Sequence, residues 1–303
     1  MGKLGTLLVI IVSICGGLGN QMFQYAAGRA LALRLRADLK LDLSWFTNIA
    51  EGCTPREYLL DDAFSLTPAV TTPDECAPLT WRRESYFSRL LRRIRRHPRP
   101  HAATYVCEPQ TSYWQGFNAL TSPTFLSGYW QNERYFSQIE AVIRRDFTFS
   151  DLKIRAAALA KRICASSNSV AVHVRRGDYV SNPVTNKIHG ICSQEYYSAA
   201  LKYLISKFDS IELFLFSDDP DWVKEHFDCS SLPSTVVAFS EHVDEPWHDM
   251  HLMSLCRHHI IANSSFSWWG AWLARKGGIT CAPRKWYIEK PDNNPAPEAW
   301  IKF

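Results

Sequence analysis

The decisive stretch of the sequence reads Ser169-Val170-Ala171-Val172-His173-Val174-Arg175-Arg176-Gly177-Asp178. Its first part is a short apolar run of the kind that fills a buried strand. Two arginines, a glycine and an aspartate follow where this strand must end. Because ligands of open α/β sheets bind beyond the carboxyl ends of the strands, these charged side chains are predicted to contact a ligand. A guanidinium fork matches phosphate oxygens, so the pattern favours a diphosphate site over a purely structural arginine–aspartate pair.

Strands and helices alternate on both sides of this stretch, which predicts an α/β fold with parallel sheets. The segment 50–125 is rich in proline and looks irregular, and a hinge is expected near 150–168. We therefore expect two domains, 1–160 and 161–303. The predicted strands cover 7–14, 38–43, 169–174, 211–216, 236–239 and 259–262, and the predicted helices cover 22–35, 194–208, 222–227, 249–257 and 265–274.

Composition narrows the class of protein. With 46% hydrophobic and 21% charged residues the chain can build a packed core, and a formal charge of +4 does not indicate a nucleic-acid binder. Nine scattered cysteines without a C-x-x-C pair argue against a disulfide framework or a zinc ribbon and favour a reducing, cytoplasmic location.

Two stretches raise the question of a membrane. The apolar run 7–14 imitates a signal peptide but is shorter than the roughly 20 residues that span a bilayer, so it is interpreted as a buried strand. The basic stretch from Arg89 to Arg96 carries leucine and isoleucine on one helical face. It is interpreted either as a solvated surface helix or as a peripheral contact with anionic lipid at the inner membrane.

A glycine-rich loop, Gly16-Gly17-Leu18-Gly19-Asn20-Gln21, lies between the first predicted strand and helix. It is either a plain tight turn or a loop that brings backbone close to a ligand. Met22 occupies the position where the dinucleotide fingerprint needs its third glycine, which argues against an NAD-dependent redox enzyme.

The segment Phe216-Ser217-Asp218-Asp219-Pro220-Asp221-Trp222 contains a D-x-D pattern that suits a magnesium or manganese ion. An aspartate followed by proline and a second acid is also a good helix start. The helix start is favoured, and no metal is predicted. The neighbouring histidines His258 and His259 would point apart, which argues against zinc.

A further strand is predicted to end at Asn263-Ser264-Ser265, immediately before a helix. Hydroxyl groups and the unpaired N–H groups of a helix start form an anion site, and Phe266 could pack beside a base. An ordinary helix cap is the alternative.

Together the motifs resemble the α-1,2-fucosyltransferases that use GDP-L-fucose, especially the bacterial ones, and more distantly the protein O- and α-1,6-fucosyltransferases. The resemblance runs from about residue 10 to 290. It is carried by the glycine-rich loop with Met22-Phe23-Gln24-Tyr25-Ala26, the arginine motif through Tyr179, Phe216-Ser217-Asp218-Asp219, and Asn263-Ser264-Ser265-Phe266-Ser267-Trp268-Trp269-Gly270-Ala271-Trp272.

This resemblance implies a GT-B-like fold, in which two Rossmann-like domains face a central cleft and the C-terminal domain holds most of the GDP. It implies inverting transfer of L-fucose from GDP-β-L-fucose to the 2-hydroxyl of a terminal galactoside, without a metal or another cofactor. The N-terminal domain would bind the acceptor. A lipid-linked galactoside is one of the acceptors considered. A transferase for another nucleotide sugar and a non-catalytic carbohydrate- or nucleotide-binding protein are the alternatives.

The resemblance also implies roles for single residues. Arg175 would contact the donor diphosphate and Asp249 would read the guanine. Asp178 is the first candidate for the base that takes the acceptor's proton, ahead of His189 and Glu195, unless it only orients the arginines. The donor-binding residues implied in this way are Asn20, His173, Arg175, Asp249, Asn263, Ser264, Ser265 and Phe266.

Overall fold

The computed structural model describes residues 8–49, 54–82, 85, 92, 100–109, 112–228, 231–238, 245, 247–275, 277–289 and 293–303. The chain divides into two compact units, one of residues 1–61 and 66–146 and one of 62–65 and 147–303. This division precedes the expected boundary after residue 160, because the helix Ile154–Ala165 belongs to the second unit and packs on its helix Trp247–Leu255.

The N-terminal unit contains a sheet in the order β3-β2-β1-β5-β4, and every pairing in it is parallel. Its strands are β1 Val9–Ser13, β2 Asp38–Asp42, β3 Ala69–Val70, β4 Tyr105–Cys107 and β5 Thr124–Ser127. Its helices are α1 Leu18–Leu35, α3 Pro73–Thr80 and α4 Glu140–Asp146, and the residues of α2 Leu60–Phe64 are divided between the units.

The C-terminal unit contains a second parallel sheet in the order β11-β10-β9-β6-β7-β8. Its strands are β6 Ser169–Val174, β7 Glu212–Ser217, β8 Ser234–Ala238, β9 His258–Ile260, β10 Thr280–Ala282 and β11 Ile301–Lys302. Its helices are α5 Ile154–Ala165, α6 Gly177–Ser181, α7 Pro183–His189, α8 Gln194–Ile205, α9 Pro220–His226, α10 Trp247–Leu255 and α11 Ser265–Leu273.

Read from β8, the strand order of the second sheet is the doubly wound order of Rossmann domains, and it reverses between β6 and β9. The α/β fold class with parallel sheets is thus confirmed. Strand β6 is buried along its whole length. Val170 and Val172 pack against α8 on one face, and Ala171 packs near Met253 of α10 on the other. Burial on both faces explains why β6 is a continuous apolar run rather than an alternating one.

The expectation that 50–125 is irregular is wrong for its described parts, because Ala69–Val70, Tyr105–Cys107 and part of β5 join the first sheet. Strands this short carry too few residues for a periodic signal. Helix α1 begins at Leu18 rather than at 22, so Gly19 to Gln21 belong to its first turn.

The structure bears only in part on membrane contact. Of the stretch from Arg89 to Arg96, Arg92 alone lies among the described residues, so the peripheral contact stays a prediction. No helix in the described ranges is long and apolar enough to cross a membrane.

Candidate functional site

Two sequence motifs meet where the order of the second sheet reverses. The segment from Arg175 to Asp178 follows β6, and the segment from Asn263 to Ser265 follows β9. These strands are paired in parallel, with Val172 opposite Ile260. Their carboxyl ends therefore lie side by side at the topological switch point, where open α/β sheets bind ligands.

Arg175 is held by carboxylates on both of its terminal nitrogens. Its Nη2 pairs with Asp178, and its Nη1 lies 2.8 Å from Oδ2 of Asp218. The guanidinium carbon is 5.4 Å from the ring centroid of Tyr179. Burial acts to lower the pKa of Arg175, but the charges of Asp218 and Asp178 more than offset it and the pKa is raised. Arg175 is therefore a permanent cation in a fixed orientation.

Arg176 is directed into a different environment. Its Nε lies 3.0 Å from Oδ2 of Asp219, and its guanidinium carbon is 3.9 Å from the ring centroid of Trp222. Such a stacked and ion-paired guanidinium fixes the start of the following loop. We interpret Arg176 as a structural partner of the β7 end rather than as a second phosphate ligand.

Asp218 is the residue that the sequence analysis missed as part of the site. Its Oδ1 accepts a hydrogen bond from the backbone N–H of Arg176 at 2.9 Å, while its Oδ2 faces Arg175. The register pairs Val174 with Ser217, so Asp218 stands beside Arg175 at the ends of adjacent strands. The available signal was a carboxylate directly after the apolar strand that neighbours the arginine motif.

The absence of a side chain at Gly177 makes room for Asp218. A Cβ at Gly177 would lie 2.4 Å from Oδ2 of Asp218, closer than real Cβ contacts. We expect Gly177→Ala to displace Asp218 and release Arg175, and to lower kcat/KM by about 10²-fold, the cost of a misplacement of roughly 1 Å. Steady-state kinetics of the transfer reaction that the sequence motifs predict checks this. Ser181→Ala on the same helix is the control, and equal activity of both variants would contradict the role of the close approach.

Asn263 uses its side chain inside the protein. Its Nδ2 donates to the carbonyl oxygens of His189 at 2.8 Å and Trp286 at 3.3 Å, and its side chain is buried. The carbonyl of Asn263 in turn accepts a hydrogen bond from the Tyr179 hydroxyl at 3.0 Å. These contacts tie the segment after β6 to the end of β9, so we interpret Asn263 as a positioning residue.

Ser264 is the N-cap of α11, and its Oγ accepts a hydrogen bond from the N–H of Phe266 at 3.3 Å. Ser264 is therefore a helix cap, and the anion site at this helix start stays a prediction. Ser265 and Phe266 are half-buried. Their backbone N–H groups belong to the first turn of the helix, where the macrodipole also favours an anion.

His173 and Asp249 are buried in the same unit. The imidazole of His173 lies 6.1 Å from the ring of Phe266, centroid to centroid. Burial, together with the charge of Arg175, lowers the pKa of His173 to about 3, so this ring is neutral at physiological pH. Asp249 stands in the first turn of α10, which packs on α11.

Asn20 belongs to the N-terminal unit. Its Oδ1 accepts a hydrogen bond from Gln131 at 2.7 Å, and Gly16, with φ +73°, lets the Asn20 amide come close to the loop backbone. The buried amide of Gln21 bonds the carbonyls of Gly16 and Glu57. Part of the glycine-rich motif therefore builds the loop itself.

The D-x-D segment has the contacts of a helix start, as expected. Asp219 caps α9 by accepting a hydrogen bond from the N–H of Trp222 at 3.2 Å, and Asp221 pairs with Lys224 at 3.2 Å. His258 accepts a hydrogen bond from the N–H of Ile279, while His259 bonds the carbonyl of Met253. Within the described ranges no three histidine, cysteine or acidic residues are grouped as metal ligands would be.

The chain is similar to several known proteins. Residues 112–300 match the model of Glycosyl transferase family 11. An α-1,2-colitosyltransferase of Escherichia coli is 36% identical over 97% of this chain and 99% of its own. Galactoside α-(1,2)-fucosyltransferase 1 of Leontocebus fuscicollis is 28% identical over 51% of this chain and 44% of its own. The crystal structure of fucosyltransferase NodZ from Bradyrhizobium superposes with a TM-score of 0.51 at 16% identity, covering 88% of this chain and 92% of that one.

Proposed function

Because the chain belongs to glycosyl transferase family 11, we propose that it transfers L-fucose from GDP-β-L-fucose to the 2-hydroxyl of a terminal galactoside, with inversion and without a metal ion. The resemblance to bacterial α-1,2-fucosyltransferases is confirmed at the level of the family. The chain is a glycosyltransferase, so a purely non-catalytic binding protein is no longer the alternative. The donor, the acceptor and the stereochemistry are our proposals.

The placement of Arg175 is the observation that carries the proposal. A guanidinium has five N–H donors, and the described ion pairs with Asp178 and Asp218 engage one terminal nitrogen each. The remaining donors can meet phosphate oxygens at the switch point. Because the side chain is already oriented before a ligand binds, it stabilises the charge of a leaving diphosphate without reorganising during the reaction.

The start of α11 supports the same role. Helix α11 begins beside the end of β9, the strand next to β6, so the positive end of its dipole would favour a phosphate at this edge of the sheet. Together with Arg175 this helix start would neutralise the departing GDP by fixed dipoles and one cation. In this proposal Phe266 and His173 flank the base, Asp249 reads the guanine, and Asn263 holds the loop rather than the donor.

The N-terminal unit is proposed to serve the acceptor, and Asn20 to approach the donor. The bonding of Asn20 to Gln131 at 2.7 Å fixes the orientation of its amide before a substrate binds. The proposed acceptor class is supported by the relatives, one of which is named a galactoside α-(1,2)-fucosyltransferase.

A second donor deserves a direct comparison, because one relative is named an α-1,2-colitosyltransferase. Colitose is 3,6-dideoxy-L-galactose, so it differs from L-fucose only by lacking the 3-hydroxyl. A site that hydrogen-bonds the 3-hydroxyl strongly rejects a sugar that lacks it. A site built for the sugar without this hydroxyl rejects the hydroxylated sugar only weakly. The family relationship alone is compatible with either sugar.

The test is a donor assay with the full-length protein and lactose as acceptor, once with GDP-fucose and once with GDP-colitose, both with and without EDTA. We expect GDP release from GDP-fucose that EDTA leaves unchanged, and a lower kcat/KM with GDP-colitose. A higher kcat/KM with GDP-colitose than with GDP-fucose would identify GDP-colitose as the donor. Loss of activity in EDTA, restored by magnesium or manganese, would refute metal independence.

A further inference from the structure

We propose that His189 is the catalytic residue that accepts the proton of the acceptor hydroxyl, a role that Asp178 cannot fill while it orients Arg175. This inference rests on the proposed function and names the base that the function requires. It is carried by contacts within the C-terminal unit, where Arg175, Asp178 and His189 all lie.

Asp178 is already engaged. Its carboxylate pairs with Nη2 of Arg175 from a position in the first turn of α6. The arginine needs this partner to keep its orientation toward the diphosphate. Glu195 is also a poor choice, because its side chain is exposed and its carboxylate is already engaged by a hydrogen bond from Ser193.

His189 is held firmly at the end of α7. Its imidazole stacks on the ring of Tyr179 at 4.9 Å and 14°, and the ring of Tyr287 lies 5.3 Å away. Asn263 fixes the backbone by donating to the His189 carbonyl at 2.8 Å. Two ring contacts thus orient the imidazole and one hydrogen bond holds its backbone, as a group that must meet a reacting atom requires.

The ring nitrogens of His189 are not used by the fold. Neither has a hydrogen-bond partner in the described part of the chain, and Nδ1 is buried. The structural histidines His258 and His259, by contrast, each bond a backbone group through a ring nitrogen. A fixed imidazole with an unengaged ring nitrogen is suited to accept a proton.

The charges around His189 fit this step. Burial lowers the pKa of His189 to about 4; Asp178 acts to raise it and Arg175 to lower it. The ring is therefore neutral at physiological pH, so a nitrogen lone pair is present before the acceptor binds. Once it carries the proton, the carboxylate of Asp178 stabilises the imidazolium, while Tyr179 and Tyr287 keep it in place.

Proton transfer to His189 accompanies formation of the glycosidic bond. The O–H bond of the acceptor's 2-hydroxyl breaks and its proton passes to the imidazole of His189. The electron pair of that oxygen forms the bond to C1 of the fucosyl group. The bond between C1 and the β-phosphate oxygen breaks, and its electron pair leaves with GDP. The imidazolium then releases its proton to water.

The experiment compares His189→Ala and His189→Gln with wild type at saturating GDP-fucose and lactose, with GDP affinity measured by calorimetry. We expect kcat to fall by roughly 10²- to 10⁴-fold, the usual contribution of a general base, with GDP affinity within about twofold of wild type. Added imidazole is expected to restore part of the activity of His189→Ala. His101, which is stacked on Trp81 at 4.7 Å and Tyr105 at 4.0 Å, supplies the matched control His101→Gln.

Three results would overturn the inference: activity of His189→Ala within about threefold of wild type, a loss that imidazole does not rescue, or a parallel loss of GDP affinity. The last two would show that His189 only supports the fold or the donor site. A wild-type protein that transferred nothing from GDP-fucose to any galactoside would instead refute the proposed function. Wild-type turnover and the variant-to-wild-type ratio therefore judge the two proposals separately.

Discussion

Arg175→Ala is expected to lower kcat/KM for fucosyl transfer by at least about 10³-fold, because it removes the fixed cation that faces the leaving diphosphate. Removal of one preorganised donor from a developing oxyanion costs roughly 10²- to 10³-fold, and here a full charge is lost as well. Arg175→Lys keeps the charge but not the planar fork, so an intermediate loss is expected. Initial rates of GDP release with GDP-fucose and lactose measure both effects.

Arg162 provides the matched control, because its Nη2 also pairs with a carboxylate, Glu212 at 2.6 Å, yet it lies in α5 away from the switch point. Arg162→Ala is expected to retain activity. The role of Arg175 as the cation that binds the leaving diphosphate would be refuted if folded Arg175→Ala kept activity within about tenfold of wild type. Asp178→Asn and Asp218→Asn should each weaken GDP binding, since both carboxylates orient Arg175.

Acidification is expected to destabilise the protein steeply between pH 6.5 and 4, because several histidines are folded in the neutral form. Burial lowers the pKa of each from 6.5, to about 3 in one case and to about 4 in the others. The residues are His173, His189, His251, His258 and His259.

The sign follows from proton binding. Above pH 6.5 neither state binds protons at these rings. Below it the unfolded chain binds them while the native protein does not, so the free energy of unfolding falls with pH until the native values near 4 are reached. Because several rings act in the same window, the summed loss is expected to be comparable to the stability of an ordinary domain, roughly 5–15 kcal/mol.

Urea unfolding at pH 8, 7, 6 and 5 measures the effect. His259→Gln should reduce the slope of stability against pH, because glutamine does not titrate. The glutamine amide can still donate to the Met253 carbonyl, which the His259 ring bonds at 2.9 Å. The exposed His226 gives the control variant His226→Gln, for which an unchanged slope is expected. A free energy of unfolding that stays constant from pH 7 to 5 would contradict the neutral burial of these rings.

The sequence predicted the parts of the fold that have a strong local signal. Strand β6 was predicted with the bounds that the structure gives it, since both of its faces are buried and its run is uninterrupted. The two-to-four-residue strands β3, β4 and β5 were missed because pairing decides their place in the sheet, β3 with β2, β5 with β1 and β4 with β5, which no local pattern records.

The candidate site shows the same limit. Arg175 and Ser264 were predicted because each stands at a strand end with recognisable chemistry. Asp218 acquires its role only through the register between β6 and β7, and Asn263 through carbonyls of residues far away in the chain. Partners separated by long loops are visible only in the folded structure.

The most direct test of the proposed function is the structure of the product formed by the wild-type protein from GDP-L-fucose and lactose, determined by NMR after purification. We expect one fucosyl residue, α-linked to O2 of the galactose, formed together with an equal amount of GDP. A β-linkage would contradict inversion from the β-linked donor. Fucose on another hydroxyl, or no transfer by a folded protein that uses a different nucleotide sugar, would contradict the proposed reaction itself.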